Sequence, residues 1–158
     1  MRLTIYHTND IHSHLHEYER IKAYMAEHRP RLNHPSLYVD LGDHVDLSAP
    51  ITEATLGKKN VALLNEAKCD VATIGNNEGM TISHEALNHL YDEAKFIVTC
   101  SNVIDESGHL PNNIVSSYIK DIDGVKILFV AATAPFTPFY RALNWIVTDP
   151  VSYTHLRA

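Results

Sequence analysis

Cysteine is scarce in this sequence: Cys69 and Cys100 are the two thiols in 158 residues, and they form no CxxC pair. A disulfide framework is not expected, and both side chains read as reduced, core-facing thiols in a reducing compartment. Six glycines and seven prolines are too few for a low-complexity or collagen-like chain. No apolar run approaches the ~20 residues that cross a bilayer. The start, Met1-Arg2-Leu3-Thr4-Ile5-Tyr6, turns polar too soon for a signal peptide, so the expectation is a cytoplasmic chain with no membrane partner. Basic residues are also short, 13 Lys and Arg against 19 Asp and Glu, for a formal net charge of -6. Neutralising a nucleic-acid polymer needs clustered cations, which argues against that partner and leaves nucleotide-sized molecules open.

Histidine is plentiful by contrast, with 11 residues, several bunched near the start. Imidazole is the commonest metal ligand and an acid/base near neutral pH. The 45% of hydrophobic residues can bury one sizeable core. Periodicity predicts a strand over Arg2 to Thr8, a helix from about Glu17 to His28, and a strand over Ser36 to Leu41. A helix from roughly Glu53 to Ala67, a short strand over Val71 to Ile74, a loop from Gly75 to Ile82 and a helix capped by Ser83 follow. Phe96 to Thr99 is the next strand, and Asp123-Gly124 is a hairpin turn between Ile114 to Asp121 and Val125 to Thr133. This order predicts an α/β domain with a layered mixed sheet flanked by helices, parallel at first and mixed at its later edge. Ligands of such sheets gather at the carboxyl ends of the strands, which draws attention to the loops after the first three.

In the first loop, Thr8-Asn9-Asp10-Ile11-His12-Ser13-His14-Leu15-His16, an extended chain would point Asp10 and His12 to the same side, a carboxylate and an imidazole at chelating distance. His14 and His16 are either further ligands or substrate contacts, or a polar helix entry. In the second, Leu41-Gly42-Asp43-His44-Val45-Asp46, glycine allows close backbone approach where Asp43 could bridge two cations with its two oxygens, with Asp40 as rival carboxylate. In the third, Gly75-Asn76-Asn77-Glu78-Gly79, an amide oxygen can serve a hard cation and an amide NH₂ a phosphoryl oxygen. Each alone is ordinary; the conjunction at three successive strand ends is not.

Thr8-Asn9-Asp10-Ile11-His12, Leu41-Gly42-Asp43 and Ala72-Thr73-Ile74-Gly75-Asn76 together resemble the calcineurin-like metallophosphoesterase superfamily, in particular its 5'-nucleotidase, UDP-sugar hydrolase and 2',3'-cyclic phosphodiesterase branch. The resemblance spans about Leu3 to Glu78, with Leu56-Gly57-Lys58 and Leu64-Asn65-Glu66 in the same style. It implies that Asp10 and His12 bind a first metal, that Asp43 bridges, and that Asn76 binds a second. Two divalent ions, Mn, Zn, Fe or Co, would then activate a water for hydrolysis of a small phosphoester, a nucleotide being the natural candidate.

Two departures stand out. Asn77 occupies the position of the family's catalytic histidine, and Met80 replaces the aspartate that orients it in the nucleotidase branch. Either His44, His14 or His84 takes over as acid, or the leaving group is already a good one. The later ligands of the family, including a Gly-His-x-His sequence, are missing as well, since His155 is the sole histidine after Gly124. Residues 1–150 therefore read as the N-terminal part of a catalytic domain, inactive in isolation, and 151–158 as a non-native tail. The competing reading is a catalytically inactive divalent-metal or nucleotide-binding module. An amidohydrolase-type barrel starting at His12-Ser13-His14 explains neither Gly42-Asp43 nor Gly75-Asn76. Asn102 is a further candidate beside the site, Trp145 reads as packing, and Arg141 is too isolated to assign.

Overall fold

The computed structural model describes residues 2–150; the tail at 151–158 lies outside the described residues. Its frame is a five-stranded sheet of β1 (Thr4–Thr8), β2 (Ser36–Asp40), β3 (Val71–Thr73), β4 (Ile97–Thr99) and β6 (Ile114–Val115), in the order β1-β2-β3-β4-β6. Every pairing in it is parallel. β3 is buried at every residue, as expected of a strand covered on both faces. The crossovers are helical: α1 (Leu15–His28) joins β1 to β2, and α2 (Pro50–Thr55) and α3 (Lys58–Glu66) join β2 to β3. α4 (Asn76–Thr81) and α5 (His84–Leu90) join β3 to β4. Met25, Val61, Leu64, Ile74, Leu87, Leu90 and Val98 belong to one continuous core.

The layered α/β architecture stands, with two differences at its later edge. The antiparallel hairpin, β7 (Ser117–Ile122) with β8 (Val125–Val130), turns at Asp123-Gly124 as expected but forms its own two-stranded sheet. The stretch expected to be one strand from Ile114 divides, so that Ile114–Val115 stays with the parallel sheet. A further two-stranded sheet joins β5 (Val103–Ile104) to β9 (Ile146–Val147), which follows α6 (Thr137–Ala142).

The single helix expected over Glu53 to Ala67 breaks at Leu56 (φ 49°) and Gly57 (φ 83°). A Cβ at Gly57 would stand 2.9 Å from Leu90 Cδ1 and 3.0 Å from Val45 Cγ2, so the chain turns there to pass beneath its neighbours.

Trp145 is buried and stacks on the His84 ring, centroids 4.0 Å apart, which agrees with a packing role. Asn102 lies just past β4, in a different loop from those that carry Asp10, Asp43 and Asn76. Its buried amide donates to Thr133 O and Thr148 O and accepts from Thr133 N, tying down the chain after β8 and β9. Cys69 and Cys100 are buried and free, and burial raises the pKa of both thiols. Among the described residues no helix is long and apolar enough to cross a membrane.

Candidate metal centre

β1, β2 and β3 end near one level, since Thr8 pairs with Asp40 and Asp40 with Ala72. Beyond that level the first two loops go on pairing. Leu41 N donates to Thr8 O at 2.7 Å, Asp10 N to Gly42 O at 3.1 Å, His12 N to Asp43 O at 2.9 Å and Ser13 N to His44 O at 3.1 Å. Keeping these bonds around a bend puts Asp10 (φ 54°), His12 (φ 46°), Ser13 (φ 55°) and Asp43 (φ 52°) in the left-handed region, beside Gly42 (φ 94°). That conformation costs about 1 kcal/mol or more per L-residue, and strain gathered in one place is typical of functional loops. The expected strand-like alternation of Asp10 and His12 is therefore corrected: curled, mutually bonded loops bring the two side chains together.

One ligand atom from each of Asp10, His12 and Asp43 lies within 4.8 Å of the other two. Donors at bond lengths of about 2.1 Å stand roughly 3.4 Å apart around a tetrahedral ion, so this set would draw in by up to about 1.4 Å to close around a divalent cation. Asn76 begins α4 beside them. Turned one way, its amide donates to Asp43 Oδ2 at 3.0 Å; turned the other, its oxygen faces that carboxylate, which suits two acceptors sharing a cation. The donor set thus fits an oxygen- and nitrogen-ligated metal. Asp40, the rival carboxylate, turns inward, accepting from Thr8 Oγ1 at 2.6 Å and from Gly42 N at 3.2 Å.

The second and third loops meet at two glycines. A Cβ on Gly42 would lie 2.5 Å from Gly75 N, and one on Gly75 would collide with Asp43 Oδ1 and Asp43 N. Gly75 has φ -93° and ψ -168°, backbone that any residue adopts, so space alone demands glycine there. Gly75→Ala is expected to destabilise the chain by about 2 kcal/mol and to weaken divalent-metal binding with it, as read by urea unfolding and metal titration.

Glu78 holds this junction from below. Its buried carboxylate accepts from Gly75 N at 2.7 Å, Asp43 N at 3.1 Å and Val45 N at 2.7 Å. Bonding back to Gly75 from the third helical residue also explains why Gly75 to Ile82, expected as a loop, contains α4. His44 lies beside it, fully buried, its Nδ1 3.2 Å from Asp40 Oδ1 and 3.6 Å from Glu78 Oε1, its Nε2 3.2 Å from Tyr91 Oη. Burial alone pushes this imidazole down, but Glu78 and Asp40 more than reverse the effect and raise its pKa to about 9.

His44 thus lies inside, against Asp40 and Glu78, and not at the open strand-end surface where the expectation that it supplies the catalytic proton would place it. Of the other two candidates, His14 is exposed at the start of α1, and His84 packs on Trp145. His16 is likewise exposed on the first turn of α1. Asn77, the other catalytic candidate, turns its amide inward, Nδ2 lying 2.9 Å from His12 Nδ1 and donating to Val45 O at 3.1 Å. Its backbone N donates to Asp43 Oδ1 at 2.7 Å.

Ser13, Asp46, Thr52 and Asn60 were not singled out by sequence. Ser13 Oγ accepts from Asp46 N at 2.7 Å, Asn60 Nδ2 at 2.9 Å and Thr52 Oγ1 at 3.0 Å, and Asn60 Nδ2 donates to His44 O at 2.8 Å. The network pins the His12 loop to α2 and α3. A serine between two histidines and an aspartate three residues past Asp43 were the only signals, and both are common in solvated loops.

Parallel sheet, strand-end loops and the Asp/His/Asp donor group define a metallophosphoesterase-type domain, and the chain belongs to the calcineurin-like phosphoesterase family, which it matches over residues 3–152. Among individual proteins it is 44% identical over 152 residues to the uncharacterized metallophosphoesterase YunD of Bacillus subtilis (strain 168), a match covering 94% of this chain and 33% of that protein. The chain thus spans about a third of that relative's length. The NAD nucleotidase NadN of Haemophilus influenzae shares its fold with a TM-score of 0.83 at 21% identity, over 98% of this chain and 34% of that one. The 5'-nucleotidase precursor of Thermus thermophilus does so with a TM-score of 0.80 at 21% identity, over 96% and 33%. At such identity the likeness is one of fold.

Proposed function

We propose that this chain carries the metal-binding loops of a phosphoesterase that hydrolyses nucleotides or related small phosphorylated molecules. The observation that supports it is the convergence of Asp10, His12 and Asp43 within 4.8 Å, with Asn76 beside Asp43. In this reading Asp10 and His12 hold one divalent ion, Asp43 lies between two, and Asn76 serves the second. Ions held there would polarise the phosphoryl group and lower the pKa of the attacking water. The chain's own part is placement: Glu78 and the Gly42–Gly75 contact fix the two loop backbones, and Asn77 and Asp46 flank the His12 ring. The nucleotide substrate rests on the branch that the motifs resemble.

With His44 buried and Asn77 turned inward, neither of these two candidates stands ready to protonate a leaving group. Such an acid contributes about 10²-fold or more to a poor leaving group and little to a good one. Pyrophosphate and aryl phosphoesters are therefore expected to be cleaved at least ~100-fold faster than alkyl monoesters by the Mn²⁺-loaded protein, measured as phosphate release. Equal rates would point to an acid elsewhere. The inward turn of Asn77 also favours the second reading, a binding module without turnover; metal uptake with no release from any substrate would select it.

A further inference from the structure

We infer that Asp46 and Asn77 compete for one nitrogen of His12, and that Asp46 is the positioning residue that makes His12 a metal ligand. The inference rests on the metal-site reading above. A neutral imidazole carries a single ring proton, and the nitrogen that binds a cation must be the one without it. His12 Nδ1 has two neighbours of opposite demand: Asn77 Nδ2, a donor, at 2.9 Å, and Asp46 Oδ2, an acceptor, at 3.5 Å. The Asn77 amide cannot simply turn over, because Nδ2 also donates to Val45 O at 3.1 Å.

When Nδ1 accepts from Asn77, the proton sits on Nε2, the nitrogen 3.8 Å from Asp10 Oδ1, and the side chain facing the donor group cannot ligate. When Nδ1 carries the proton and donates to Asp46, the Nε2 lone pair is free beside Asp10. Asp46 is built for that second state. Its Oδ1 is engaged by Ser48 N at 2.8 Å, and its backbone N by Ser13 Oγ at 2.7 Å, next in sequence to His12 itself. Ser13 is held in turn by Asn60 and Thr52. Oδ2 is left to face the ring, as carboxylates do behind metal-bound histidines.

The test is zinc titration of the wild-type chain, Asp46→Asn and Asn77→Ala, together with ¹H–¹⁵N long-range spectra of the histidine rings with and without Zn²⁺. Asp46→Asn is expected to bind zinc about 10- to 100-fold more weakly. Asn77→Ala, which removes the competing donor together with its bond to Val45 O, is expected to bind at least as tightly as wild type. In the zinc-loaded wild-type chain His12 is expected to carry its proton on Nδ1, a readout that needs no variant to fold. Zinc affinity within about threefold of wild type in Asp46→Asn, a loss in Asn77→Ala as large as in Asp46→Asn, or an Nε2-protonated His12 in the loaded chain would each overturn the competition while leaving the metal site standing. A wild-type chain that takes up no zinc would instead remove the metal-site reading and the inference with it.

Discussion

Asp43→Asn is expected to lower divalent-metal affinity by at least ~100-fold and to remove any metal-dependent phosphate release, because the substitution takes the charge from the one carboxylate that both other loops face. Asparagine keeps an acceptor for Asn77 N and tolerates the left-handed backbone at this position. Folding should therefore be preserved. Asp40 at the end of β2 and Glu78 in α4 lie buried close to Asp43, so losing one negative charge relieves repulsion in the metal-free chain. Mn²⁺ titration and thermal unfolding separate the two effects: affinity should collapse while the metal-free melting temperature holds or rises. Unchanged affinity would show that Asp43 is not a ligand.

Glu78→Ala should be the most destabilising single change in these loops, at about 3–5 kcal/mol, read from urea unfolding. It strips three backbone N–H groups of their acceptor and leaves the buried His44 imidazolium with only Asp40. A pH signature accompanies it. His44 has a folded pKa of about 9 against an ordinary 6.5, so its contribution is complete below about pH 6.5 and is lost as pH rises through 9. Wild-type stability should accordingly decline across that window, and Glu78→Gln, which keeps an acceptor oxygen but not the charge, should flatten the decline. A variant as stable as wild type, with the same slope, would show that the carboxylate is not His44's partner.

The strands were legible because β1 to β4 are short apolar runs bounded by polar turns, and Asp10, His12 and Asp43 stood out because each follows one of them. What periodicity does not encode is direction. His44 sits one residue beyond Asp43 and reads as an equal candidate, yet the left-handed turn at Asp43 sends its ring into the interior, where Asp40 and Glu78 compensate its charge. α4 was hidden because two glycines and two asparagines suggest a turn; the helix forms only because Glu78 reaches back to Gly75 N. Thr52 and Asn60 left no pattern at all, since their meaning arises from contacts with Ser13 across separations of 39 and 47 residues.

The glycine seam between the second and third loops ties their spacing to the main chain. With Gly42 and Gly75 abutting and Glu78 bonded to both sides, the separation of these two loops is set by peptide backbone rather than by the identity of any exposed charged residue.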